Sequence, residues 1–487
     1  MSDVRDRVLS PGREDPFVAG LTQAIGGPRG QHAAPETSTR GGKVMTAARI
    51  ILALTCFTLM AHWIQKSPCQ DGAWSNNKQY TSFCYTDVLA LYYAEGLNQG
   101  KVPYVPEKPE PDNHHVEYPV LTGVFMGVLG LPVHALGQKI TINEGQWFYN
   151  LNALVLSAFA VATVAMLLSL RRRRPWDAAM FALSPALFVT ATVNWDLLAI
   201  VLAIAAIWFW AKKHPLVAGI FFGLGTSAKL WPLFILGPLL LLCMRKRRFA
   251  DAAFAAVGAV ATWLVVNVPV MFYSFDDWYE FMRLSNTRQI DWGTLFYIGR
   301  FLDGKYLNSF PEFWSNVDSV NTVSYVLFVL GCLAIGALIF TAPIPPRLGQ
   351  LAFLVIALFL VTSKVWSQQF NLWLLPLIVL ARPKWGAFLV WQVAEVFYFL
   401  AFYGELMGAG GSNVITEEVF ILASLFRLAT VVMLIVMVTR EILRPELDVV
   451  RQTYRGDPDD GDLAPESAQP AIVRAGLPKW AALRARA

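Results

Sequence analysis

Two carboxylates and two lysines carry most of the chemistry available to this 487-residue sequence. Asp87 heads the aromatic stretch CYTDVLALYYAEG (84–96), and Asp196 closes the triplet Asn194-Trp195-Asp196. Either could take a proton from an incoming hydroxyl. Either could equally be the anion that a helix N-terminus favours, with Thr86 as the cap ahead of Asp87. Lys229 and Lys364 open the same small pattern, Lys-x-Trp, in KLWP (229–232) and KVWS (364–367). Lys229 precedes Arg245 by 16 positions and Lys364 precedes Arg382 by 18. Those spacings are about 24 and 27 Å of helix, against a hydrocarbon core of about 30 Å. Both lysines therefore belong at a similar depth near one membrane surface. Each could simply snorkel beside interfacial tryptophans. Together they suit a lipid phosphate, to which Arg288 and Arg300 could add. His114, His115 and Glu117 in NHHVEYP (113–119) raise the question of a metal. Adjacent histidines are badly spaced for one ion, and no second histidine cluster exists. The expectation is hydrogen bonding to substrate, with no metal.

These residues must be positioned by membrane helices. The chain is 55% hydrophobic and only 15% charged, which excludes an ordinary soluble domain, and it repeats apolar runs of about 20 residues. Its net charge of +5 comes from basic clusters that each follow an apolar run, so it is no nucleic-acid signal. These clusters are Arg171 to Arg174, Lys212-Lys213, Arg245 to Arg248, Arg382/Lys384 and Arg440/Arg444, and they mark cytoplasmic loops. Residues 1–44 and 441–487 are polar, and read as cytoplasmic tails, the first of them disordered. Between them, 45–440 reads as an all-α polytopic membrane domain with about twelve spans. They lie at 46–64, 147–170, 176–193, 196–211, 215–228, 230–244, 250–272, 320–341, 348–364, 369–381, 385–403 and 417–439.

One further apolar run, 119–136, would invert everything downstream if it crossed. Its prolines and glycines also make it a poor regular helix. It is expected to lie in the membrane plane or re-enter, leaving 65–146 as one long extracytoplasmic loop. The Asp87 helix is too short to span and should lie along the interface. Cys69 and Cys84 share that loop and are expected to form a disulfide, whereas Cys56, Cys243 and Cys332 fall in spans. Glu395 and Arg427 lie at similar depth in neighbouring spans and should pair. No glycine-rich nucleotide loop is present, so ATP-driven chemistry has no visible site and no cofactor is expected.

An Asp-headed helix after the first span, then GKVPY, then EYP leading into an apolar run, resembles membrane glycosyltransferases of the C superfamily. SKVWSQQFNLWLLPL (363–377) resembles the Ser-Pro-Gln-Tyr-x-x-Trp-x-x-Pro signature of the glycosyltransferase 87 family. Gln368 stands where that family usually has Pro, Phe370 where it has Tyr, and Val120 follows Tyr118-Pro119 in place of a second Pro. The resemblance implies an enzyme of the extracytoplasmic face in a multi-pass cell-membrane protein. It would move a hexose, mannose in the nearest group, from a polyprenyl-phosphate donor to a glycolipid or glycan hydroxyl of the cell envelope. Asp87 matches the family's catalytic Asp, with Asp196 as a second carboxylate candidate. Lys229, Lys364 and Arg300 would meet the donor phosphate, and His115, Glu117, Tyr118, Gln368 and Gln369 the substrates. A transporter or lipid flippase is the rival reading, since twelve spans with intramembrane charges fit one. Against it, no pair of matching interrupted halves is evident.

Overall fold

A computed structural model describes residues 9–26, 46–105 and 116–461; His114 and His115 lie outside them. The regular structure among the described residues is helical, with no strand. In chain order the principal helices are α1 (Ala47–Lys66), α2 (Asp87–Ala94), α3 (Val120–Gly137), α4 (Glu144–Leu170), α5 (Pro185–Thr190) and α6 (Asp196–Ala211). There follow α7 (Pro215–Ala228), α8 (Trp231–Arg245), α9 (Phe249–Tyr273), α10 (Phe275–Thr287) and α11 (Leu295–Leu302). The last are α12 (Val317–Thr341), α13 (Leu348–Thr362), α14 (Asn371–Ala381), α15 (Trp385–Ala409) and α16 (Glu417–Leu443). Seven are long and apolar enough to cross a membrane: α1 with its extension to Cys69, α3, α4, α9, α12, α15 and α16. Five more apolar helices are shorter, α6, α7, α8, α13 and α14 with the turn before it. The chain is a polytopic membrane protein.

The short helices form the core. All eleven residues of α14 are buried, as are most of α6 and α13. At about 1.5 Å per residue, α7 with 14 residues covers only about 21 Å of a core about 30 Å thick. The connections at the ends of these helices are buried, residues 191–195 and 225–229 among them. Long α9 and α12 bury few residues and turn most of their apolar surface outward. Helix α9 packs on α7 through small residues, Gly219 and Gly223 lying against the carbonyls of Ala255 and Ala259. Interfaces of this kind let helix backbones approach closely in a bilayer.

Two apolar runs differ from expectation. Residues 176–193 do not form one span but break into a 3-10 turn, a short helix and α5. Ser184 caps α5 and Pro185 starts it, and the side-chain oxygen of Gln392 accepts from the Ser184 hydroxyl (2.6 Å) and the Ala186 amide (3.1 Å). That glutamine satisfies the polar groups that the break frees. Residues 120–137, in contrast, form one continuous helix in spite of Pro132. Their glycines serve packing: side chains at Gly123, Gly127 and Gly130 would collide with Tyr104, Pro103 and Leu97. The two ends of α3 meet opposite ends of little α2. The first joins Asp87 through Tyr118 and Asn194, and the last reaches Tyr92 through Glu144.

The opposite face gathers the basic clusters. Asp459 binds Arg171 (2.6 Å) and Arg347 (3.0 Å), while Asp460 binds Lys246 (2.5 Å) and Arg248 (2.7 Å). Glu441 holds Arg382 (3.0 Å) and Lys384 (2.6 Å). Residues 445–461, expected to be tail, are therefore folded onto this face. Residues 11–26, expected to be disordered, form two short helices beside it, with Asp15 accepting from the Trp385 amide (3.0 Å). Charge pairing and helix capping supply an order that composition did not show.

Two pairs expected from the sequence are present. Glu395 and Arg427 lie 3.1 Å apart, fully buried, and Arg427 also donates to the carbonyls of Trp366 and Ser367. Cys69 and Cys84 form a disulfide ahead of α2. Arg427→Leu leaves Glu395 buried without its cation, and should cost roughly 3–5 kcal/mol, visible as a fall in the thermal midpoint in detergent. Cys84→Ser opens a short loop that contributes about 3 kcal/mol in the chain-entropy account. An impermeant maleimide should label neither cysteine of the wild type until reductant is added.

Candidate functional site

The candidate site forms where the sunken end of the core meets α2. Local sequence prepares it. Ser184 and Pro185 break the preceding apolar run, and the turn at 191–195 that follows is buried within the protein. His62, buried on α1, fixes this turn: its Nδ1 donates to the Phe188 carbonyl (2.6 Å), and its Nε2 accepts from the Thr192 amide (3.1 Å). Lys66, one turn further on, donates to the carbonyls of Phe83 (3.3 Å) and Tyr85 (3.0 Å), and so aims the chain leading into Asp87.

Asp87 does begin a helix, but Thr86 is not its side-chain cap. The Thr86 hydroxyl instead donates to the Thr192 carbonyl (2.7 Å), and the Asp87 amide donates to the Val193 carbonyl (2.8 Å). Tertiary contact outbids local capping, and α2 is docked by its first two residues onto the 192–194 turn. The carboxylate that results is partly exposed. Asn194 donates to it (2.7 Å), as does the Tyr85 hydroxyl. Burial pushes the Asp87 carboxyl above the usual carboxylate range, while the two donors and Lys229 pull against the shift and Asp196 adds to it.

Lys229 does not snorkel. It is only 9% exposed, forms an ion pair with Asp196 (2.8 Å), and donates to the Asn194 side-chain oxygen (3.1 Å). The rings of Tyr118, Phe370 and Trp373 surround its ammonium at 5.9, 5.5 and 5.9 Å. Asp196 is wholly buried and also accepts from the Trp373 indole (2.6 Å). Of the two carboxylates, Asp87 is thus the more exposed, and Asp196 is the counter-ion of a buried lysine. The tryptophans of the paired motifs are not interfacial anchors either. Trp231 stacks on Trp373 at 5.5 Å, and Trp366 lies beneath Arg427 at 4.1 Å.

The remaining residues singled out in the sequence are more scattered. Lys364, 6% exposed, donates to the carbonyls of Asn286 (3.1 Å) and Arg288 (2.6 Å), and so holds the 286–291 loop rather than joining Lys229 in one network. Arg300 lies over the Tyr297 ring at 5.2 Å, in a layer built on α11 and α16. Tyr118 accepts from Asn194 (2.6 Å), and the Glu117 amide donates to Glu95 (3.4 Å). Gln368 and Gln369 are buried in the turn before α14, against α5 and α15. Asn194, Tyr85, Phe370 and Trp373 were not weighed as site residues in the sequence. Phe370 and Trp373 fall on the Tyr and Trp positions of the 363–377 signature, and Asn194 is a polar residue between two apolar runs.

The buried pair yields a double-mutant test. Asp196→Leu or Lys229→Met alone strands a charge and should lower stability by roughly 3–5 kcal/mol, whereas the two together should recover much of the loss. Thermal unfolding of the three variants in one detergent measures it.

The site thus sets a caged, ion-paired lysine beside a partly exposed carboxylate, with Asn194 between them. The model of Glycosyltransferase family 87 matches residues 118–367, just over half of the chain. The matched stretch contains Tyr118, Asn194, Asp196, Lys229 and Lys364; Asp87 precedes it. No curated protein matches the chain. The chain belongs to glycosyltransferase family 87, and it is a membrane glycosyltransferase.

Proposed function

We propose that the enzyme transfers a hexose, mannose by the family resemblance, from a polyprenyl-phosphate sugar to a hydroxyl of a cell-envelope glycolipid or glycan, with Asp87 as general base. The observation that carries this reading is the placing of a partly exposed carboxylate one side chain away from a caged lysine, through Asn194. The acceptor hydroxyl gives its proton to Asp87 as its oxygen bonds to the anomeric carbon. The bond from that carbon to the phosphate oxygen breaks, and the lipid phosphate leaves with added negative charge. Lys229 faces that charge in a site with little water, where a preorganised cation is most effective. Lys364 acts by holding the 286–291 loop over the site, with Arg300 further along the same layer. Tyr118, Glu117, Gln368 and Gln369 contact the substrates, as does His115 from the segment outside the described residues. A donor with one phosphate has no pyrophosphate for a metal to bridge, so transfer is metal-independent.

The site faces the extracytoplasmic side. Support comes from the Cys69–Cys84 disulfide on the Asp87 side and the gathering of basic clusters on the other. With α3 returning to its own side, seven long and five short apolar helices correspond to about twelve crossings once the broken 176–193 segment replaces α3. That is the architecture of C-superfamily glycosyltransferases, with the domain at 45–440.

The test is transfer from radiolabelled polyprenyl-phosphate mannose to a membrane glycolipid fraction by purified enzyme. Asp87→Asn should lose about 10²–10⁴-fold in rate while remaining folded; near-normal turnover would falsify the assignment. Because burial raises the Asp87 carboxyl above the ordinary carboxylate range, the wild-type rate should fall as pH drops through that raised value. Chelator should leave the rate unchanged.

A further inference from the structure

We propose that Asn194 is a positioning residue, whose amide sets the orientation of the Asp87 carboxylate and keeps it ionised beside the caged lysine. The proposal rests on Asp87 being the base, and it assigns a role to a residue that carries no charge and acts through Asp87.

Asn194 is 3% exposed, and its amide hydrogen bonds are all made within the site. Nδ2 donates to Asp87 Oδ2 (2.7 Å) and to the Tyr118 hydroxyl oxygen (2.6 Å). Oδ1 accepts from Lys229 Nζ (3.1 Å) and from the Trp195 amide (2.7 Å). The direction of the amide is not a free choice. An ammonium and a backbone N–H can only donate, and an ionised carboxylate can only accept, so a flipped amide would lose three of the four bonds. One planar group thus holds the base on one edge and the cation on the other. The turn that carries it is itself pinned, by His62 at Thr192 and by Thr86 at the Thr192 carbonyl. Orientation is therefore passed from the scaffold to Asp87 through a rigid path.

The groups that face Asp87 are Tyr85 beside it, Lys66 from α1, Tyr118, Asp196, Lys229 and Tyr403 from α15. Lys66 and Lys229 favour the charged carboxylate and Asp196 opposes it. The tyrosines are neutral at working pH, and Tyr85 donates. Removing the Asn194 donor takes away a bond made to the ionised form, so the Asp87 pKa must rise. Replacing the donor by a second carboxylate oxygen must raise it further.

The experiment uses full-length protein in lipid nanodiscs. Difference infrared titration of wild type against Asp87→Asn isolates the Asp87 carboxylate band and its midpoint without any substrate. Asn194→Ala should raise that midpoint by about one pH unit, and Asn194→Asp by more. In the transfer assay, Asn194→Ala should lower kcat about 10–100-fold, move the acid limb of the pH profile by the same amount as the midpoint, and change the donor KM less than kcat. Asn194→Ser, which keeps one donor, should fall between and decides the matter if the alanine variant does not fold. A folded variant whose midpoint stays at the wild-type value overturns the proposal, even if it is slow, because loss of rate alone is what a structural role would give. The base assignment fails separately: a fully active Asp87→Asn enzyme refutes it whatever the midpoints do.

Discussion

The ion pair between Asp196 and Lys229 is the interaction on which the site depends. Asp196 is the first residue of α6 and Lys229 follows the last residue of α7, and these helices pack side by side in opposite directions. The anion therefore sits at the positive end of one helix and the cation at the negative end of the other. Each charge is also the other's partner, and an indole and an amide take up further bonds. Burying two charges is costly unless geometry of this quality is available. Once it is, Lys229 is held at a fixed place under Tyr118, Phe370 and Trp373, and the 194–196 turn is held with it.

Short helices make that place possible. A helix that ends before the surface leaves polar backbone and side chains in a setting that water does not fully reach, and protein groups must satisfy them. Here they do so from remote parts of the chain: His62 from α1, Gln392 from α15 at the broken span, Arg427 from α16 beneath the 366–371 strap. The same groups that satisfy the breaks also position the site. A scaffold of uninterrupted spans would have had no such floor for the Asp87 helix to dock on.

The other face solves a different problem with different means. Arg171 and Arg347 are fully buried and share Asp459, and Arg347 also takes Asp448 in a bidentate contact. Asp460 accepts from Trp210 (2.6 Å) as well as from its two cations. The segment that supplies these carboxylates joins the ends of α4, α6, α8, α13 and α16 across the bundle. It is a tie between helices that enter the site on the far side, and its acidic residues balance clusters whose excess charge a membrane surface would otherwise have to accommodate.

Sequence alone determined the helical membrane class, because a run of about 20 apolar residues has few other solutions. It also determined the boundaries of most spans, the grouping of basic loops on one face, the Cys69–Cys84 pairing and the Glu395–Arg427 contact, since each follows from compartment, depth or the cost of a lone buried charge. It brought Asp87, Asp196 and Lys229 into view, by their charge in an apolar setting. Tertiary structure decided what these residues do to one another. That Asp196 would be consumed by Lys229, that Lys364 would hold a loop instead of joining it, and that Thr86 would bond Thr192 in place of capping are outcomes of helix ends meeting across 30 to 110 residues of chain, for which local propensity has no term. The terminal segments show the same limit: residues 11–26 form short helices held at Trp385, and residues 445–461, read as tail, fold onto a buried set of opposite charges. Asn194 was the hardest to see, because an amide carries no charge and shows no pattern; its importance lies wholly in having a carboxylate on one edge and an ammonium on the other.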